Sequence, residues 1–180
     1  MEAAVTIDIA SECPGWNRAC PEAEELVRQA SREALAAGMA ALRPAPATPI
    51  ELGITLTDAA RQQRLNREFR GQERSTNVLA FPIWEPHVEA PPGMPILLGD
   101  VVLAFETVLR EAAEQGKSIG DHLSHLVVHG VLHLLGHDHQ TAAGADKMEA
   151  LEVSILAKLG IANPYRDTIW PAEAGSPCHE

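Results

Sequence analysis

Six of the eight histidines fall between His122 and His139, and four of them lie in the run His129-Gly-Val-Leu-His133-Leu-Leu-Gly136-His137-Asp138-His139. A neutral imidazole is the commonest metal ligand among side chains. Residues four apart on a helix share a face one turn apart, so His129 and His133 can address one ion. Gly136 can take the left-handed conformation that ends a helix, and the returning chain can then bring His139 to the same ion. Three imidazoles leave the fourth tetrahedral position open, which is the arrangement of a catalytic zinc site and not of a structural one. Such an ion lowers the pKa of its bound water to about 7 and polarises a scissile ester or amide. We therefore expect one Zn2+ on His129, His133 and His139, used for hydrolysis.

The neighbouring histidines admit other readings. A triad of His125, His129 and His133 would spread along roughly 12 Å of helix, too far for bonds of about 2 Å to one ion. His122 and His125 are expected to line the approach or to be satisfied in the core, and His137 to face away. Asp138 can orient an imidazole, act as a base, or simply cap the turn. The bland alternative for the whole set is hydrogen-bonded core histidines. The spacing equals that of the metzincin peptidases, H-E-x-x-H-x-x-G-x-x-H, but Gly130 stands where their glutamate base belongs. A glycine cannot take a proton, and inside a helix it suggests close approach of a substrate or another backbone. The pattern reads as metal hydrolysis without the peptidase base, with a metzincin-like peptidase as an alternative.

A second group carries charge. Arg61, Arg64, Arg67, Arg70 and Arg74, set against Glu68 and Glu73, leave this segment at +3 in a chain of net charge -11, so the remainder is -14. Arg61 and Arg64 read best as a solvated helix face. Arg70 and Arg74 precede the strand-like Asn77-Val-Leu-Ala-Phe-Pro, where a guanidinium can clamp a phosphate bidentately and stabilise its developing charge. A metal hydroxide beside an arginine suits a phosphodiester better than a peptide. An acidic surface repels nucleic acid, so RNA would have to meet this local basic patch. Aromatic residues make up only 4% of the chain and suggest no stacking platform.

The elements that must position these groups follow from periodicity. Strands are expected at Ala4 to Ala10, Ile50 to Leu56, Asn77 to Ile83 and within Ile96 to Phe105. A helix should open at Cys20-Pro21 and stop at Gly38. The stretch Pro44 to Pro49 reads as a stiff connector. Asp58 caps a helix ending near Gly71, and the proline-rich run from Trp84 to Pro95 is a loop. A further helix runs to about Gly116. Ser118 caps the histidine helix, which is apolar almost all round and so belongs in a core. A last helix spans Ala145 to Leu159, and the tail from Asn163 is expected to fray. The fold class is α+β: a small mixed sheet of about four strands with helices packed on it and a central buried helix carrying the histidines. We expect one domain over residues 1–163 and a flexible tail over 164–180. Cys13, Cys20 and Cys178, an odd count, read as free thiols. The absence of a secretory pattern and of any bilayer-length apolar run points to a cytoplasmic protein with no membrane association.

These motifs together resemble the YbeY endoribonucleases, the rRNA maturation factors, over about Ile50 to Gly160. The family motif H-G-x-L-H-L-x-G-Y-D-H falls on His129 to His139, with His137 in place of the usual tyrosine. The segment N-x-x-[FY]-R-x-x-[DE]-x-x-T-[DN]-V-L-[SA]-F-P falls on Asn66, Phe69, Arg70, Glu73, Thr76, Asn77 and onward to Pro82, with Ser75 where proline is usual. Leu98-Gly99-Asp100 and the stretch Met148 to Leu156 match as well. The resemblance implies a zinc-dependent, single-strand-specific endoribonuclease. It would act in 16S rRNA 3′-end maturation and ribosome quality control, with the ribosome or its small subunit as partner. It also implies zinc ligands at His129, His133 and His139 and a functional arginine at Arg70. A non-catalytic zinc-binding ribosome assembly factor is a further alternative.

Overall fold

The computed structural model describes residues 4–41, 48–71, 76–85, 90–138 and 140–165. Alternating apolar residues build β1 (Val5–Ser11) and β2 (Ile50–Thr57), where Ile50, Leu52, Ile54 and Leu56 are buried. With β3 (Val78–Pro82) and β4 (Ile96–Ala104) they form one mixed sheet in the order β1-β2-β4-β3. The β1-β2 and β2-β4 pairs are parallel and β3 runs antiparallel to β4. β4 is interior to the sheet, which is why its run Val101 to Ala104 is apolar without alternation. β3 is an edge strand.

Six helices complete the α+β fold: α1 (Pro14–Ala19), α2 (Ala23–Ala40), α3 (Ala59–Arg70), α4 (Phe105–Glu114), α5 (Ile119–Leu134) and α6 (Ala142–Lys158). The expected caps are present. Asp58 accepts from the Arg61 N–H at 2.7 Å and Ser118 from the Asp121 N–H at 3.1 Å. α5 is the central helix, packed by α2, α4, α6 and the β3-β4 side of the sheet. Its Leu123, Val127, Val128, Val131 and Leu132 are fully enclosed.

The two sides of β3 matter for the site. Val78 and Ala80 share a face with their partners Leu103 and Val101. That face carries α5, since a Cβ at Gly130 would lie 2.7 Å from Val101 Cγ1 and 3.4 Å from Val78 Cγ2. Leu79 and Phe81 point the other way, where Phe69 of α3 meets Phe81. Gln62, buried on α3, holds this arrangement: its amide donates to the Val102 carbonyl and its oxygen accepts the Thr76 N–H.

Four expectations need correction or extension. Gly38 does not stop α2. The helix continues to Ala40, and Gly38 is where α2 crosses α5, because a Cβ there would sit 2.4 Å from Leu135 Cδ1. The short helix α1 was not foreseen; it is anchored by Trp16, whose Nε1–H donates to the Thr57 carbonyl at 3.0 Å. α6 begins three residues earlier than expected, at a Thr141 cap. The chain beyond Asn163 stays ordered at least to Tyr165, whose hydroxyl bonds Glu152. Cys13 and Cys20 are free, and burial, with the charge of Glu22 adding to it, pushes the Cys20 thiol up to about 11. Among the described residues no helix is long and apolar enough to cross a membrane. Residues 42–47, Glu73, Arg74, Ser75, His139, Cys178 and the tail over 166–180 lie outside the described residues.

Candidate metal centre

α5 sets the spacing of the histidines. His129 and His133, one turn apart, place their Nε2 atoms 3.1 Å from each other. Two ligands of a tetrahedral ion with bonds of about 2.0–2.1 Å stand roughly 3.3 Å apart, so this pair fits two corners of such a site. The helix ends as the glycine requires. Gly136 has φ 92°, the His137 N–H returns to the Leu132 carbonyl, and the Gly136 N–H returns to His133. That six-to-one closure is the Schellman form of helix stop. It turns the chain immediately ahead of His139, which lies outside the described residues. Among the described residues no group of three His, Cys, Asp or Glu side chains is arranged to hold a metal ion.

The residue that orients His129 is Glu152, which the sequence offered only as part of the matched stretch Met148 to Leu156, with no role. It sits on α6 with side-chain exposure of 1%, and its Oε1 accepts from His129 Nδ1. A carboxylate can only accept, so His129 carries its proton on Nδ1 and leaves the Nε2 lone pair to face His133. A carboxylate behind a ligand imidazole fixes its tautomer and raises its basicity. The second oxygen of Glu152 accepts from the Tyr165 hydroxyl, and His125 Nε2 lies 3.4 Å from it. Burial by itself pushes the Glu152 carboxyl up. Hydrogen bonds from His125 and His129, and the charge of those rings, together outweigh it and hold the group well below the usual carboxylate range. A signal was available in the sequence: Met148, Glu152, Ile155 and Leu156 form the buried stripe of α6, and an acid in such a stripe needs a partner.

The remaining histidines sort themselves. His122 is buried against Glu111, Nε2 to Oε2 at 2.7 Å, and Glu111 also accepts from Asn77 Nδ2 at the start of β3. His125 belongs to the Glu152 cluster, and burial lowers its pKa. Neither joins the His129–His133 pair. His137 is half-buried, and among the described residues its enclosed Nε2 has no hydrogen-bond partner. Asp138 caps the turn by accepting the Gln140 N–H at 3.2 Å.

Of the two close approaches that Gly130 suggested, a substrate or another part of the chain, the structure shows the second. The residue faces Val101 and Val78, so its missing side chain lets α5 lie close on the sheet. A glutamate side chain there would have to displace Val101.

Arg70 lies at the other side of β3. It is exposed at the end of α3, which Gly71 closes at φ 67°. Its Nη2 donates to the Ala80 carbonyl, and its guanidinium carbon sits 5.4 Å from the Phe81 ring centre. Arg70 thus stands at the free edge of the sheet, while His129 and His133 ride the helix on the opposite face. Arg64 and Arg67 are exposed along α3, and Arg61 pairs with Glu12 at 2.7 Å.

Comparison with known proteins places this arrangement. A family model described as Endoribonuclease YbeY matches residues 17–160. A protein of that name from Paramagnetospirillum magneticum is 52% identical over 165 residues, covering 89% of this chain and 97% of the relative. Another, from Rhodospirillum rubrum, is 49% identical over 163 residues, covering 89% and 82%. The solution structure of a Thermotoga maritima protein is similar in fold, with a TM-score of 0.51 at 22% identity, over 94% of this chain and all of that one. With the family match spanning most of its length, the chain belongs to the endoribonuclease YbeY family.

Proposed function

We propose that the chain is a zinc-dependent endoribonuclease that cuts single-stranded RNA and acts in 16S rRNA 3′-end maturation and ribosome quality control. Its working partner would be the ribosome or its small subunit, in the cytoplasm. The observation that carries this reading is the facing pair of Nε2 atoms on His129 and His133, 3.1 Å apart, with the His129 Nδ1 proton held by buried Glu152. Family membership supports RNA as the substrate class.

In this reading His129, His133 and His139 hold the ion. When bound, it supplies Lewis acidity toward a phosphodiester oxygen and acidifies a water molecule. Glu152 keeps the His129 proton on Nδ1, so that Nε2 is available as a ligand. Arg70 holds a phosphate of the strand at the edge of β3 through charge-assisted hydrogen bonds.

The test measures cleavage of a single-stranded RNA and of its duplex, with and without chelator, alongside the zinc content of the purified protein. The parent should cut the single strand, lose activity on chelation and regain it with zinc. His133→Ala should lose both metal and cleavage, and Arg70→Ala should lose cleavage with metal retained. Equal cutting by the parent and both variants would mean a contaminating nuclease. A variant that no longer cuts RNA but still supports ribosome maturation would move the reading to a non-catalytic assembly factor.

A further inference from the structure

Phe69 is a large apolar side chain left 69% exposed on α3, and an aromatic ring so placed calls for a reason. Two of the three phenylalanines in the chain meet here. The Phe69 and Phe81 rings are 5.8 Å apart at an interplanar angle of 64°, and the Arg70 guanidinium covers the Phe81 ring. The contact is edge-to-face and leaves most of Phe69 toward solvent. Arg64, Arg67 and Arg70 are exposed on the same helix, with Glu68 the single countercharge among its residues. Aromatic residues are only 4% of the chain, yet the fold brings two of their rings together inside its basic patch.

We infer that Phe69, supported by Phe81 and Arg70, is a stacking platform for one base of the single-stranded RNA. The inference rests on the endoribonuclease reading and extends it to a binding subsite. The platform lies on the face of β3 opposite α5, and β3 is the edge of the sheet. A strand crossing that edge from the histidine pair would meet Arg70 with a phosphate and the Phe69 ring with a base. An exposed aromatic beside guanidinium groups binds any base by its π face and any phosphate by charge. The subsite therefore selects for unpaired nucleotides without reading sequence, because a paired base is already stacked between its neighbours.

The experiment uses the full chain in chelator and a short single-stranded RNA carrying 2-aminopurine at successive positions. The parent should quench the fluorophore at one or two positions. Phe69→Ala should weaken binding by about 5- to 100-fold and abolish that quench. Phe69→Leu should lose the quench as well, and Phe69→Trp should keep it. An oligonucleotide abasic at the quenched position should bind the parent and Phe69→Ala alike. Because Phe69 is exposed, these variants should fold as the parent does. Unchanged affinity and quench in Phe69→Ala would overturn the platform, and would be the result if this face instead docks a protein. If the quench depends on Phe69 in a protein that cuts no RNA, the platform stands and the nuclease reading falls. If RNA is cut with the parent KM by Phe69→Ala, the reverse holds.

Discussion

Glu152 offers the sharpest test of the site, because one buried carboxylate of α6 joins two side chains of α5 and one of the C-terminal segment. It bonds His129 Nδ1 and the Tyr165 hydroxyl, with His125 Nε2 at 3.4 Å. Glu152→Gln keeps the volume and an acceptor for His129 but removes the negative charge that raises the basicity of the ring. Loss of a carboxylate behind a ligand histidine typically costs 10–100-fold in metal affinity, about 1.4–2.7 kcal/mol. Glu152→Leu goes further and leaves buried donors without an acceptor, at about 1–3 kcal/mol each. With two or three donors stranded, roughly 2–9 kcal/mol of folding stability should go, a large part of the usual 5–15 kcal/mol. Competition for zinc against a chromophoric chelator reads the first effect, and urea unfolding of metal-free protein reads the second. The glutamine variant should bind zinc more weakly while unfolding near the parent midpoint, and the leucine variant should lose both. Zinc binding by Glu152→Gln at parental strength would refute the claim that this carboxylate tunes His129.

Gly130→Ala sets a gain of about 1 kcal/mol in helix propensity against overpacking on Val101 of about 1–3 kcal/mol. Net destabilisation near 1 kcal/mol is expected by denaturant unfolding, with recovery when Val101→Ala is added; a stabilised single variant would contradict the close α5–sheet contact. Asp58→Ala removes the α3 cap and should cost about 1 kcal/mol, read as a lower unfolding midpoint. Stability of the metal-free protein should fall toward acid in two stages. The His125 pKa is lowered by burial, so its contribution is complete above the unfolded value of 6.5 and drains as pH falls toward its folded value. The Glu111 carboxyl, raised by burial but more strongly lowered by His122 and Asn77, contributes fully above 4.5 and loses that contribution below. Unfolding free energies at pH about 7.5, 5.5 and 4 should therefore decline in that order, and Glu111→Gln should flatten the last step; greater stability at pH about 5.5 than at 7.5 would contradict the His125 sign, and greater stability at pH about 4 than at 5.5 the Glu111 sign.

Much of this molecule is legible along the chain because it depends on short-range geometry. A period of two places β2 and a period of 3.6 places α5. The side-chain oxygens of Asp58 and Ser118 reach N–H groups three residues away, and Gly136 ends α5 by taking a conformation that side-chain-bearing residues avoid. His129 and His133 face one another for the same reason: four residues of helix bring them there whatever surrounds the helix.

Contacts across long sequence separations are another matter. Glu152 reaches His129 from 23 residues downstream, and only the packing of α6 on α5 makes that meeting. Phe69 and Phe81 form a pair because α3 lies over one face of β3. Gly38 read locally as a helix stop and Gly130 as a close approach of substrate or backbone, and they are the places where α5 is crossed by α2 and laid on the sheet. A glycine states only that space is needed, and the neighbour that fills the space is chosen by the fold. The sequence alone determined which residues could bind a metal and that two of them share a helix face. The tertiary structure decided what holds those residues in orientation and on which side of the edge strand the arginine stands, because both are set by how the layers pack.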